Sequence, residues 1–199
     1  MNRFLLLQRA VIVVIAWSMA SLVVAQQPLV IKPLAQKKVS ELPQGELFWR
    51  VETFGSPDQA KAAAGEWSLV AETAGKVWLF TLGSGGGAPS KGTKVAEIGP
   101  IPRVSAHHYL LRINDASGPP GSVTHVHSHP GSEAFLVLTG EQSIRGADGV
   151  KHVKAGQGEP GRGAGMAMQV SSSGSTDLHA LVMFVVDADK PFSSPASMH

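Results

Sequence analysis

Three histidines alternate along one short segment of the chain, and a glutamate follows closely. His125, His127 and His129 are separated by single residues, and Glu133 comes four residues after the last of them. If the segment is a β-strand, alternate side chains point to the same side and the three imidazoles share a face. A bend at Pro130-Gly131 lets Glu133 begin the next strand and brings its carboxylate back beside the imidazoles. Two imidazoles and a carboxylate are the ligands of a 2-His-1-carboxylate metal site, which leaves coordination positions open to water or substrate.

The spacing around these residues resembles the first conserved motif of the cupins. That motif has a glycine, five residues, His-x-His, three or four residues, a glutamate, six residues and a second glycine. The residues that match it here are Gly121, His127, His129, Glu133 and Gly140. The resemblance covers roughly residues 109–186. It implies a double-stranded β-helix, or jelly-roll barrel, that holds one divalent metal ion through the two histidines and the glutamate.

His125 is the histidine that this motif leaves over. It shares a face with the other two, so it is a candidate for the mouth of the cavity, as an acid–base group or as a residue that supports a ligand. An exposed strand end is an equally good position for it.

The second cupin motif normally supplies a further histidine ligand, and this chain departs from it. If Gly174 is the turn glycine, Met168 stands at the histidine position and Met166 shares its face. No histidine lies between His152 and His179. Three protein ligands with water would favour Fe(II), Mn(II) or Zn(II), whereas a thioether ligand at Met168 would favour copper. The third alternative is that both methionines fill the core.

The elements that position these residues are predicted to be short strands joined by turns. Twenty-two glycines and thirteen prolines favour an all-β fold. One short helix is expected where Ser56 can cap a first turn that contains Pro57, with Gly65 ending it. We predict a cupin-type barrel over residues 108–190, after an N-terminal arm and extra strands over 26–107 and before a C-terminal tail over 191–199. Strands are expected at 46–54, 67–72, 76–82, 93–98, 108–113, 122–129, 134–138, 142–145, 150–154, 166–170 and 178–186.

Residues 1–25 have the pattern of a secretory signal peptide. Arg3 and Arg9 precede an apolar run that ends in Val23 and Ala25, small residues at the usual cleavage positions. The alternative is an uncleaved N-terminal anchor, for which the run is short. The segment holds two of the 17 basic residues and none of the 15 acidic ones. A cleaved chain would therefore be close to neutral, which argues against nucleic acid or an anionic membrane as partner.

The expected function is that of a periplasmic or secreted metal-dependent enzyme acting on a small organic molecule. The cupin resemblance implies oxygenase, isomerase or lyase chemistry without choosing among them. The alternative from another class is a non-catalytic protein that binds a metal, copper included, or a small ligand. A homodimer is left open. Because the chain has no cysteine, zinc–thiolate sites, iron–sulfur clusters and cysteine nucleophiles are excluded.

Overall fold

The computed structural model describes residues 26–198, so the predicted signal peptide lies outside the described residues. The elements over that range are β1 Val30–Val39, β2 Leu47–Phe54, α1 Pro57–Ala63, β3 Ser68–Thr73, β4 Lys76–Gly83, β5 Thr93–Ile101, β6 Tyr109–Gly118, β7 His127–Ser128, β8 Gly131–Thr139, β9 Glu141–Gly146, β10 Gly149–Lys154, β11 Gly158–Pro160, β12 Gln169–Ser172, β13 Leu178–Asp187 and β14 Ser194–Pro195. This confirms the predicted all-β fold with one short helix. No part of residues 26–198 forms a helix with the length and apolar composition that spanning a membrane requires.

Three sheets stack as layers. The middle sheet has the strand order β1-β6-β13-β8-β11, and the sheets beside it have the orders β10-β9-β12 and β3-β4-β2-β5. The strands of the middle sheet pair antiparallel with their neighbours. The middle and three-stranded sheets together form a jelly-roll barrel. The four-stranded sheet is the N-terminal extension.

Alternation along the middle sheet builds two separate cores. Ala134 and Leu136 face the N-terminal sheet and pack with Trp49 and Phe80. The residues between and beside them, such as Phe135, face the three-stranded sheet. Members of this second core include Ala116, Val137, Val182, Phe184, Ile144, Val153, Met168 and Val170. Because side chains alternate across a strand, one run of residues in β8 serves both layers.

The helix start acts as predicted, and a tight hairpin joins the next two strands. The Ser56 hydroxyl accepts a hydrogen bond from the Gln59 backbone N–H at 3.3 Å, and Pro57 is the first helical residue. Between β3 and β4, Ala74 and Gly75 both have positive φ, 52° and 67°. Two successive residues of this kind give the turn twist that matches a tight hairpin.

The chain ends differ from the prediction. Residues 30–39, expected in an arm, form β1, which pairs with β6 along its whole length. Pro33 is tolerated because β1 is an edge strand and its register shifts between Pro33 and Ala35. At the other end, β14 in the predicted tail pairs with β7. The N-terminal region therefore adds a strand to the middle sheet, as expected of an extension with extra strands, and the C-terminal segment forms a separate two-stranded sheet with β7.

Candidate functional site

A cavity of about 280 Å³ lies inside the barrel, and all four predicted polar residues border it. These residues are His125, His127, His129 and Glu133. Only His127 and Ser128 of the predicted strand 122–129 form a strand. The histidines nonetheless meet at the cavity, because the segment stays extended beside β12 through the backbone hydrogen bonds of Thr124 to Val170 and of His127 to Met168.

Glu133 is buried on the cavity side of β8, with only 2% of its surface exposed. Its Oε1 accepts a long hydrogen bond, 3.5 Å, from the backbone N–H of Arg162. Burial raises the pKa of the Glu133 carboxyl to about 8, and the hydrogen bond and positive charge of Arg162 oppose this only in part. Burying an ionised carboxylate is costly unless a positive partner lies beside it. The side chain therefore occupies a place suited to binding a cation.

Gly161 makes room for this carboxylate. A Cβ atom at position 161 would collide with Cγ of Glu133 and would lie 2.9 Å from its Oε1 and 2.6 Å from Cε2 of Phe135. The backbone N–H of Gly161 donates to the Glu133 carbonyl at 2.9 Å, which holds the two segments together. Only glycine lets the backbone come this close to the side chain.

The imidazoles of His127 and His129 are each oriented by a backbone carbonyl. Nδ1 of His127 donates to the His125 carbonyl at 2.8 Å, and Nδ1 of His129 donates to the Phe192 carbonyl at 2.7 Å. Because a carbonyl oxygen can only accept, Nδ1 of each ring carries a proton, and in the neutral imidazole Nε2 is then the nitrogen with the lone pair. Burial lowers the pKa of His129 to about 4, so that its ring is neutral. Metal-binding histidines have the same arrangement, with one nitrogen bonded to a carbonyl and the other free for the ion.

The spacing of the three side chains is close to that of a metal site without reaching it. The ring centres of His127 and His129 are 5.0 Å apart, within the roughly 4.5–5.3 Å expected for two imidazoles on one ion at usual metal–nitrogen lengths. Nε2 of His129 is 3.9 Å from Oε2 of Glu133, whereas two ligand atoms of one ion are roughly 3.0–3.4 Å apart. Over residues 26–198, no three or more His, Cys, Asp or Glu side chains already have the arrangement of a metal site. The donor types fit a metal, while the distance from Nε2 of His129 to Oε2 of Glu133 is longer than a shared ion requires.

The two methionines have different environments. Met168 is 1% exposed and packs in the core that contains Phe135, Ile144 and Val170. Its backbone exchanges two hydrogen bonds with His127, but its side chain is not among those that border the cavity. Met166 is 46% exposed. The prediction that it shares a face with Met168 is not met, because residues 166 and 167 are not in a strand and β12 begins only at Gln169.

The C-terminal segment contributes a residue that the sequence analysis missed. Besides its carbonyl bond to His129, Phe192 places its ring 4.8 Å from the His129 ring and 4.9 Å from that of Phe184. The guanidinium of Arg112 lies 4.2 Å from the centre of the Phe192 ring. The one available signal was an aromatic residue in a segment otherwise rich in serine and proline.

Gln142 is the second residue that the sequence analysis missed. It lies two residues after Gly140 and was predicted only as part of a strand. It is fully buried on β9 and borders the cavity. The available signal was a polar residue that alternates with Ile144, a core residue, along β9.

Comparison with known proteins gives a likeness of fold only. No family model matches this sequence, and no curated protein matches it. Among solved structures, a cupin superfamily protein from Desulfitobacterium hafniense is 18% identical with a TM-score of 0.35, over 39% of this chain and 68% of that one. A protein with a double-stranded β-helix domain from Klebsiella pneumoniae is 23% identical with a TM-score of 0.37, over 43% and 70%. The polyketide cyclase RemF from Streptomyces resistomycificus is 16% identical with a TM-score of 0.36, over 45% and 62%. Each match covers less than half of this chain.

Proposed function

For a chain whose barrel is a cupin-type double-stranded β-helix, we propose that His127, His129 and Glu133 bind one divalent metal ion in the cavity. We further propose that the ion serves a reaction on a small organic molecule. The observation that carries the proposal is the pair of imidazoles, each held at Nδ1 by a backbone carbonyl, beside a buried carboxylate. Such holding fixes the tautomer and the orientation of a ligand before the ion arrives.

The donor set favours Zn(II), Fe(II) or Mn(II). Two imidazole nitrogens and one carboxylate oxygen suit these ions, and three protein ligands leave coordination positions for water or substrate. A metal bound there would supply a Lewis acid for a substrate oxygen or an activated water. The packing of Phe184 and Phe192 against His129 keeps bulk water away from that ligand. The cupin resemblance supports an oxygenase, an isomerase or a lyase, and His125 at the cavity is a candidate acid–base group.

A non-catalytic metal or small-ligand binding protein is the second candidate. Copper would be favoured if Met168 were a ligand, yet its side chain packs in the apolar core. Elemental analysis of protein purified from its native source separates the two functions. Iron or manganese supports the enzyme, and copper supports the binding protein.

We also propose that the chain is exported and acts in the periplasm or outside the cell. The support is the pattern of residues 1–25, a positive start followed by an apolar run and small residues at 23 and 25. Intact-mass measurement of the exported protein should give a chain that begins at Gln26. A membrane-bound chain that still carries Met1 would contradict this.

The metal proposal is tested by competitive zinc titration of single variants. His127→Ala, His129→Ala and Glu133→Gln should each weaken zinc binding by more than about a hundredfold, a greater loss than removing a residue that supports a ligand. His125→Ala is the matched control, because it deletes an imidazole at the same cavity and keeps the backbone carbonyl that orients His127. Its zinc affinity should stay within a few-fold of the parent protein. If His125→Ala abolished binding and His129→Ala did not, the assignment of ligands would be wrong.

A further inference from the structure

Gln142 is a buried polar side chain that the metal proposal does not use. It is fully buried on β9 and borders the same cavity. Neither its Nε2 nor its Oε1 has a hydrogen-bond partner among the described residues. Gln169, in the adjacent strand β12, shows what a paired glutamine does in this sheet. Its Nε2 donates to the Thr124 carbonyl at 3.0 Å, and its Oε1 accepts from Arg145 at 2.9 Å.

Two serine side chains on neighbouring segments, Ser122 and Ser172, also have buried polar atoms without a hydrogen-bond partner among the described residues. Ser172 is the direct cross-strand partner of Gln142, so both side chains point to the same side of the sheet. The backbone N–H of Ser172 donates to the Ser122 carbonyl at 2.8 Å. Nearly all buried polar groups in proteins are paired, because an unpaired one loses its hydration without compensation. Of these three side chains, Gln142 is the one that borders the cavity, so a ligand in the cavity could pair with its amide.

The rest of the cavity restricts what that ligand can be. None of the described residues that border the cavity is a lysine or an arginine, and the nearby Arg112 donates to Asn114 at 2.8 Å. A carboxylate or phosphate group would therefore lack the cationic side chain that usually recognises it. The walls are largely apolar and include Ala116, Phe135, Val170, Val182, Phe184 and Phe192.

The volume of the cavity sets the size of the ligand. At about 280 Å³, it is close to the lower end of the roughly 300–1,000 Å³ range of small-molecule sites.

We propose that the cavity binds a small, uncharged and largely apolar molecule, and that the amide of Gln142 hydrogen bonds its hydroxyl or carbonyl group. The inference rests on the proposed function, since it names the class of molecule that the same cavity takes. The amide can donate through Nε2 and accept through Oε1, so it can pair with an alcohol, a ketone or an amide. A buried glutamine without a partner costs stability, and such a cost is found where a residue serves function rather than the fold.

The experiment uses three small probes that share a phenyl ring. Benzyl alcohol carries a hydroxyl group, toluene carries none, and benzoate is an anion. Their affinities are measured by calorimetry and by ligand-detected NMR on zinc-loaded and on metal-free protein. The variants are Gln142→Leu, which keeps the volume and removes the amide, and Gln169→Leu as the control. Thermal unfolding of each metal-free variant gives the second readout.

The parent protein should bind benzyl alcohol more tightly than toluene. In its metal-free form it should bind benzoate more weakly than either of the other two probes. Gln142→Leu should lower the affinity for benzyl alcohol roughly three- to tenfold, the contribution of one hydrogen bond. It should leave the affinity for toluene unchanged. Its melting temperature should equal or exceed that of the parent, because the lost amide had no partner. Gln169→Leu should melt lower, because it loses two hydrogen bonds, and should bind all three probes as the parent does.

The inference is overturned if metal-free protein prefers benzoate, if no probe binds, or if Gln142→Leu leaves benzyl alcohol affinity unchanged. A clear fall in melting temperature with Gln142→Leu would also overturn it, since that amide would then be bonded within the fold. The metal-free arm keeps this result separate from the metal proposal. If zinc does not bind but benzyl alcohol still depends on Gln142, only the metal proposal fails.

Discussion

Replacement of Gly161 by alanine should damage the site from the backbone side. Gly161 has no positive φ, so alanine meets no backbone strain there and the effect is purely one of space. The new methyl group would collide with Cγ of Glu133 and lie 2.6 Å from Cε2 of Phe135. Carbon atoms in contact normally lie about 3.5–4.0 Å apart. Either the carboxylate or the backbone must therefore move.

The magnitude follows from two opposing effects. Overpacking of this kind costs about 1–3 kcal/mol. Replacing glycine by alanine in an unstrained conformation returns about 0.4–1 kcal/mol by restricting the unfolded chain. We expect Gly161→Ala to lower the free energy of unfolding by about 1–2 kcal/mol. Since Glu133 is the proposed ligand that must shift, zinc affinity should fall at least about tenfold.

Gly163→Ala is the matched control, two residues further along. Its Cβ would meet nothing closer than Cγ of Pro102 at 3.6 Å, an ordinary contact. Its free energy of unfolding should stay within about 0.5 kcal/mol of the parent, with zinc affinity unchanged. Urea denaturation and competitive zinc titration measure the two quantities on all three proteins. If Gly161→Ala lost stability and kept full zinc affinity, Glu133 would not be a ligand. If Gly161→Ala lost neither stability nor zinc affinity, the close packing of Gly161 against Glu133 would be wrong.

Three further sets of variants test other parts of the site. Gly121 and Gly140 have φ of +86° and +72°, but only at Gly140 would a Cβ also lie 2.7 Å from a backbone oxygen. Gly121→Ala should lower the free energy of unfolding by about 1–2 kcal/mol, and Gly140→Ala should lower it clearly more. Equal losses in urea denaturation would refute the close contact at Gly140. Met168→Leu should cost less than about 1.5 kcal/mol and leave zinc affinity unchanged, whereas a selective loss of Cu(I) affinity would make Met168 a ligand. Ending the chain at Lys190 removes the Phe192 carbonyl that orients His129, and the affinity for zinc should fall roughly ten- to a hundredfold. Phe192→Ala keeps that carbonyl, so its loss should be smaller; equal losses in zinc titration would place the effect in the ring.

The alternate spacing of the histidines predicted that they lie on one side of the chain, and all three border the cavity, although only His127 and Ser128 of the predicted strand 122–129 form a strand. Alternation requires only an extended backbone, and single bridges from Val123 to Ser171 and from His127 to Met168 keep this segment extended. A continuous ladder is not needed for alternate side chains to share a side. The glycines of the motif could likewise be placed from the sequence, because Gly121 and Gly140 both adopt positive φ.

Contacts between distant parts of the chain could not be predicted in the same way. β1 lies about eighty residues before its partner β6, and Pro33 within it, with Pro28 and Pro43 on either side, locally favours an irregular arm. Phe192 lies 63 residues after His129, whose ring its carbonyl orients. No local periodicity encodes either pairing. The prediction for Met166 was wrong for a local reason: strand alternation was assumed from residue 166, whereas β12 begins only at Gln169.

The departure at Met168 links the metal proposal to the proposed ligand. In the cupin motif that position supplies an imidazole, whereas here the side chain lies in an apolar core together with Phe135 and Val170, which also border the cavity. An ion held by three protein ligands needs further donors, and water or a bound molecule must provide them. A molecule that does so meets apolar walls and the amide of Gln142 rather than a charged side chain. Methionine at position 168 thus leaves out one protein ligand, and the cavity favours a neutral molecule with few polar groups. One of these groups would bind the ion and another would bond to Gln142.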